Sequence, residues 1–323
     1  MSNETSDLKI ADCRKIVGDI EQNISSYFIG KKEQIKYMLI GFIAGLHVLI
    51  EDVPGVGKTT LAKCLAACTG LSFARVQFTP DLLPGDILGM NIWDLAKREF
   101  VFKEGAILHQ FILADEINRA SPRTQSSLLE AMQEETVTVD GVSYELPHPF
   151  FVIATQNPMH FTGTFPLPEA ELDRFGISFS LGYASNQEEL KILGLDRNIN
   201  PLKVIKPVTN PEEIDDIRKQ VPAVFASNDI KLYIISLANK IRSSNHIKLG
   251  TSTRSLQQLL AASQANALLQ GRDFVIPEDV IELIQPVFSH RLILSTEAHM
   301  EHKTIPGILK SFTDTVKIPT GVK

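Results

Sequence analysis

Lys58 and Thr59, with Gly57 before them, end the run VLIEDVPGVGKTT at 48–60, where an apolar stretch turns through glycine and proline. Residues of these types at this spacing hold phosphate. Backbone N–H groups around a tight turn converge on phosphate oxygens, the lysine reaches the β and γ phosphates, and the threonine hydroxyl is free for Mg²⁺. Val53, Pro54, Gly55, Val56, Gly57, Lys58, Thr59 and Thr60 form the expected cradle, with a helix opening near Lys58. One position departs from the full pattern: Asp52 stands five residues before Gly57, where glycine is usual. Aspartate tolerates left-handed backbone, so Asp52 reads as a variant of the motif.

A second apolar run, FILADE at 111–116, ends in two carboxylates. In phosphate-loop ATPases an acid at the tip of a neighbouring parallel strand holds Mg²⁺ with the loop hydroxyl, which assigns Asp115 and Thr59 to the metal. Glu116, leaving the strand on the other side, is placed to polarise the attacking water. A third run, FFVIATQN at 150–157, ends at Asn157, which is positioned to touch the γ-phosphate or that water. An Asn-Pro pair alone reads as a turn, and its order after the other two motifs gives it weight.

The elements that must carry these residues follow from patterning. Up to about residue 185, apolar strands alternate with helical stretches, the mark of an α/β doubly wound parallel sheet. One helix is expected near 60–69, ending at Gly70, and another opens at Ser121-Pro122 and buries Leu128, Leu129 and Met132. TVTVDGVSYEL alternates about Asp140-Gly141 and predicts a hairpin. The segment 86–105 holds an inserted element with strand-like REFVF. MLIGFIAGLHVLI at 38–50 is too short to span a bilayer and reads as a helix end followed by a buried strand. The pattern loosens over 191–211, the expected linker between a core at 1–190 and a mainly helical second domain at 212–323.

Long segments then carry a family resemblance. VQFTPDLLPGDILG at 76–89, ADEINRASPRTQSSLLEAMQEETVTVDG at 114–141 and FPLPEAELDRF at 165–175 closely resemble the MoxR family of AAA+ ATPases. The likeness runs from about residue 25 to about 295, with Thr253 standing where relatives often carry proline. It implies a P-loop core under an all-α lid that packs over the nucleotide, and an insert as in the helix-2-insert group. It also implies that the hairpin at 140–141 faces a ring pore or partner, against the plainer reading of a surface hairpin.

The same resemblance assigns Arg254, at the start of a lid helix, to the γ-phosphate of its own subunit, and Arg174 in LDRF to a finger reaching the neighbour's site. A planar, permanently charged guanidinium suits both tasks. Arg119 and Arg123 are further candidates for contact across subunits. Ile29 and Gly30 are placed against the adenine. A finger supplied in trans implies a homo-oligomer, a hexameric ring in related assemblies. The implied activity is ATP-driven, chaperone-like remodelling, maturation or metal insertion of a partner, with von Willebrand factor A domain proteins as the partner class. The alternatives are a nucleic-acid-acting motor or transcriptional activator, and a nucleotide-switched scaffold that does not hydrolyse.

Composition bounds these readings. The chain has 323 residues, 44% hydrophobic and 22% charged, which is enough for two domains of ordinary globular character. Net charge is −6 with no Lys/Arg run, which argues against a nucleic-acid motor because phosphate-backbone binding needs clustered cations. The polar, acidic start MSNETSDLKIADCRK lacks the features of a signal peptide, so a cytoplasmic location without membrane insertion is expected. Cys13, Cys64 and Cys68 read as small buried apolar residues, because two ligands one turn apart cannot close a zinc site.

Overall fold

The computed structural model describes residues 8–157, 164–194 and 204–319. Pro158 and part of the expected linker, residues 195–203, lie outside them. The chain opens on α1 (Ile10–Tyr27) and α2 (Lys32–Ile43), joined through Gly30 and Lys31, both at positive φ. Cys13, Val17, Ile20 and Ile24 form the buried stripe of α1 at helical spacing. β1 (Val48–Glu51) then leads into α3 (Lys58–Thr69), which Gly70 ends in left-handed conformation.

Beyond it come β2 (Phe73–Gln77), α4 (Pro84–Leu88) and a hairpin of β3 (Gly89–Asp94) with β4 (Glu99–Glu104), which is the inserted element. β5 (Phe111–Asp115) precedes α5 (Pro122–Glu134), whose N-cap Ser121 accepts from Thr124 N. β6 (Thr136–Val139) and β7 (Val142–Glu145) form the second hairpin, with Asp140 and Gly141 both at positive φ as a tight two-residue turn requires. The two hairpins touch where Phe102 stacks on Tyr144, centroids 4.3 Å apart. β8 (Phe151–Gln156), α6 (Glu169–Leu172), β9 (Ile177–Phe179) and α7 (Asn186–Leu193) follow.

β1, β2, β5, β8 and β9 make one all-parallel sheet in the order β2-β5-β8-β1-β9. Alternation along its strands divides the core between two faces. Val48, Ile50, Phe111, Leu113, Phe151 and Ile153 point to the face covered by α1, α2 and α3. Leu49, Ile112, Ala114, Val152 and Ala154 point to the face covered by α4 and α5. Both faces are dry, as a parallel sheet requires.

The C-terminal part holds α8 (Pro211–Gln220), α9 (Asn228–Arg242), β10 (Ile247–Leu249), α10 (Thr253–Leu269) and α11 (Pro277–Phe288). It ends in β11 (Ile293–Leu294), α12 (Thr296–Met300) and α13 (Ile305–Thr315). Sequence patterning reads this part as mainly helical and misses the β10–β11 pair. Their apolar faces join the α1–α2 side of the sheet in one cluster that runs from Cys13 to Phe312. Among the described residues no helix is long and apolar enough to cross a membrane.

His47 ties the start of β1 to α5 and β8. Val152 N donates to its Nδ1 at 3.1 Å, so the proton sits on Nε2, which faces Met132 O at 3.3 Å. Burial pushes its pKa down to about 4, and a second proton would break the Val152 bond. The folded state therefore resists protonation that the unfolded chain accepts near 6.5. The contribution of His47 is complete above pH 6.5 and is lost as pH falls toward 4, at no more than about 1.4 kcal/mol per pH unit. Denaturation midpoints taken between pH 7.5 and 4.5 should fall less steeply for His47→Gln than for the wild-type chain.

Candidate active site

The carboxyl ends of the parallel strands share one edge, and the loop after β1 lies there. Gly55 and Gly57 sit at φ 89° and 97°, a region that side chains with a Cβ rarely adopt. No other atom lies within 4 Å of the place a Cβ on Gly55 would take, so the loop is open at that point. Gly57 is the N-cap of α3, and Lys58 and Thr59 are its first residues. Lys58 is buried and its Nζ donates to Asp52 O at 2.6 Å. Burial pulls its pKa below the usual lysine value, and the carboxylates of Asp52, Asp115 and Glu116 oppose that shift.

Asp52 works differently from the left-handed variant the sequence suggests. Its φ is not positive. Its buried carboxylate accepts from Val53 N at 2.8 Å, Ser180 Oγ at 2.8 Å and Gly182 N at 2.6 Å, pinning the base of the loop to the segment after β9. That segment also closes on the expected adenine side. Lys31 Nζ donates to Tyr183 O at 2.7 Å, the Phe28 ring lies against Gly57, and Glu188 lies over Gly30, beside Ile29.

The acidic pair arrives on β5. Thr59 Oγ1 donates to Asp115 Oδ2 at 3.3 Å, while the buried Thr155 hydroxyl on β8 donates to Asp115 Oδ1 at 2.7 Å. Glu116 lies past the strand end in left-handed conformation, φ 56° and ψ 50°. A non-glycine residue held in this conformation costs about 1–3 kcal/mol. Its N–H donates to Thr155 Oγ1 at 2.9 Å, and its Oε2 accepts from Arg119 Nη1 at 2.8 Å and Gln77 Nε2 at 3.3 Å. Asn157 follows β8, between the strands of Asp52 and Asp115, and its carbonyl accepts from Asn118 Nδ2 at 3.1 Å.

Arg75 and Gln77, on β2 beside β5, escaped sequence reasoning, as did Thr155. Arg75 places Nη2 at 2.6 Å and Nε at 3.1 Å from Asp115 Oδ2. Their only signal was the spacing of two on a strand next to the acidic one, which sets both side chains on one face. The oxygen donors of Thr59 and Asp115, beside an open backbone loop, suit a hard divalent cation shared with phosphate.

Arg174 and Arg254 lie elsewhere. Together with Leu46, His47, Met132 and Gln258 they line one cavity of about 180 Å³. Arg174 Nη1 donates to Leu129 O at 2.9 Å and Gln133 Oε1 at 2.7 Å, and its buried Nε has no partner among the described residues. Leu46 and His47 precede β1, so the cavity is at the amino edge of the sheet. At a strand rise of about 3.3 Å per residue, roughly 16 Å separate His47 from Asp52. That exceeds the reach of an arginine. The structure thus does not bring Arg254 to Lys58 and Thr59 of its own chain, where the family resemblance puts it. The reason is the seat of its helix: α10 packs against α1, α2 and α11, and Ser252 at its start bonds Asp173 instead of closing over the loop. Arg119 faces its own Glu116, and Arg123 is exposed on α5.

Comparison with known proteins matches this geometry. The family described as "ATPase family associated with various cellular activities (AAA)" matches residues 47–177, and an AAA lid domain matches 239–311. Chaperone MoxR1 of Mycobacterium tuberculosis is 35% identical over 305 residues, covering 92% of this chain and 80% of that protein. The chain belongs to the MoxR family of AAA+ ATPases. An uncharacterised Bacillus subtilis protein, YeaC, is 43% identical over 95% of this chain and 96% of its own length. The crystal structure of a candidate ATPase from Cytophaga hutchinsonii superposes with a TM-score of 0.89 at 35% identity, covering 96% of this chain and 97% of that one. Membership brings nucleotide binding and ATP hydrolysis with it.

In this MoxR-family chain the Thr155 hydroxyl is shared by both acids. Thr155→Val keeps its shape but orphans the Glu116 N–H and frees one oxygen of Asp115. It should lower stability by about 1–3 kcal/mol and ATP turnover by roughly tenfold, read by denaturant unfolding and steady-state phosphate release.

Proposed function

We propose that this protein hydrolyses ATP only when assembled, at sites split between two copies of the chain, and uses that hydrolysis to remodel a partner protein. The observation that carries the reading is the division of the chemistry between opposite edges of one sheet. Lys58, Thr59, Asp115, Glu116 and Asn157 occupy the carboxyl edge, while Arg174 and Arg254 share a cavity at the amino edge. A guanidinium pair with an unpartnered buried donor is half of a phosphate site, and its complement is the carboxyl edge of another copy. Copies related head to tail close into a ring, for which six members is the reading we adopt.

In such a site the loop amides from Val53 to Thr60 hold the triphosphate, and Ile29 and Gly30 face the adenine. Thr59 and Asp115 would hold Mg²⁺, which when bound neutralises charge on the β and γ phosphates. Glu116 polarises the water that attacks the γ-phosphorus, Asn157 orients that water, and Lys58 draws charge toward the bridging oxygen. The neighbour's Arg174 and Arg254 then meet charge on the equatorial oxygens, where it is most developed in the transition state. The core at 1–190, the linker at 191–211 and the lid at 212–323 are the bodies whose relative movement would carry work to the client.

The chaperone role is supported by the name of the 35% identical relative, MoxR1. A von Willebrand factor A domain protein is the partner class we favour, with maturation or metal insertion as the outcome. The net charge of −6 supports this over a nucleic-acid motor. The fixed pair Asp115 and Glu116 beside Lys58 supports turnover over a passive scaffold.

Glu116→Gln should bind ATP with unchanged affinity and lose at least about 10²-fold in turnover. Arg174→Ala and Arg254→Ala should each bind ATP normally and lose turnover, by up to about 10³-fold for a true trans finger. Specific activity of the wild type should rise with protein concentration as copies assemble. A monomer with concentration-independent turnover would sink the reading, and the absence of any von Willebrand factor A domain protein among the partners of Glu116→Gln would remove that client class.

A further inference from the structure

Asp173 neighbours Arg174 but does not line the cavity of the two arginines. It is nonetheless the carboxylate on which the C-terminal helices close. Its Oδ1 accepts from Arg291 Nε at 2.8 Å, and Ser252 Oγ stands 2.9 and 3.1 Å from its two oxygens. Ser252 is also the N-cap of α10, accepting from Ser255 N at 3.1 Å, and lies two residues before Arg254. Arg291 is buried and gives its other donors to Phe175 O, Gln258 Oε1 and Val287 O. His290 adds a bond from Nε2 to Phe175 O at 2.9 Å. One side chain thus fixes both the backbone beside Arg174 and the helix end that projects Arg254.

Charge explains why the anchor is an acid. Burial opposes the protonated form of Arg291, Asp173 supports it by hydrogen bond and charge, and Arg254 adds a smaller repulsion. Three guanidiniums crowd this end of the sheet, where Asp173 pairs with Arg291 and Glu135 lines the cavity of the other two. A buried arginine that loses the acid paired with it becomes costly, and the helix ends would shift to relieve it.

We propose that Asp173 is a positioning residue that registers Arg174 and Arg254 as one rigid two-arginine unit, presented to the phosphates bound by a neighbouring subunit. The inference rests on the split-site reading above and names what sets its geometry. Transition-state stabilisation by two guanidiniums depends on their spacing, and displacement of either by about 1 Å costs up to 10²-fold in rate. Substrate affinity, set by the other subunit's loop, is untouched.

The test uses full-length chains mixed in solution. Asp173→Asn should lower kcat about 10- to 100-fold while KM for ATP changes by less than about twofold. Lys58→Ala subunits turn over nothing themselves but carry intact arginines. Mixed in excess with Asp173→Asn, they should restore the rate per competent site to that of wild-type chains in the same mixture. Arg174→Ala, run in parallel, tests the underlying reading. If Lys58→Ala rescues Arg174→Ala but not Asp173→Asn, the registering role is overturned; if it rescues neither, the split-site reading itself fails. D173E keeps the charge but moves the carboxylate by one methylene, and should also lose kcat; full activity would show that charge alone suffices and overturn the role in spacing. Ser252→Ala, which removes one arm and leaves Arg291 paired, takes the place of Asp173→Asn in the same mixture if thermal melts show that Asp173→Asn does not fold.

Discussion

Parallel pairing of five strands is the constraint on which the rest depends. In an antiparallel sheet strand ends alternate between edges, whereas here every carboxyl end of β1, β2, β5 and β8 is brought to one edge. Residues that are far apart in sequence, Thr59, Asp115 and Thr155, meet there within hydrogen-bond distance. The same parallelism sends the strand starts to the other edge, with Leu46, His47 and the two arginines. Within one chain the loop residues and the two arginines therefore stand at opposite edges of the sheet.

The phosphate edge is held by polar bonds that a plain fold would not need. Asp52 spends a buried carboxylate on Ser180 and Gly182, so the base of the loop and the wall of the adenine side move together. Thr155 joins Asp115 to the amide of Glu116, and Arg119 and Gln77 hold the carboxylate of Glu116 to one side. The left-handed backbone at Glu116 is a strain that only these surrounding bonds sustain. Pre-organised groups of this kind stabilise developing charge without reorganising at the moment of reaction.

Much of this was legible because it is local. The glycines at 55 and 57, the cap at Ser121, the Asp140-Gly141 turn and the apolar runs at 48–51, 111–115 and 151–156 each announce their conformation within a few residues. What escaped is non-local. The partners of Asp52 lie 128 and 130 residues away, and Arg75 reaches an acid 40 residues on. The seat of Arg254 depends on Ser252 bonding Asp173, 79 residues earlier. Helical periodicity shows that α10 exists but not which end of the sheet it will meet. The structure seats Arg254 beside Arg174, away from the loop of its own chain.

Burial of charge separates structural from functional residues in the remaining chain. A buried cation costs free energy unless it is paired and hydrogen-bonded, and folds discard such groups where apolar ones would serve. Arg218, stacked on Phe42, donates to Phe42 O and Phe150 O and so closes main-chain carbonyls at the sheet's rim. Lys58 differs: among the described residues its ammonium hydrogen-bonds to a backbone carbonyl, that of Asp52, and feels the charge of the carboxylates of Asp52, Asp115 and Glu116. Arg174 keeps one buried donor without a partner among the described residues, as Arg218 does through Nη2, but it lines a cavity with a second arginine. Each lies beside open space, Lys58 at the open loop of the carboxyl edge and Arg174 in the cavity at the amino edge.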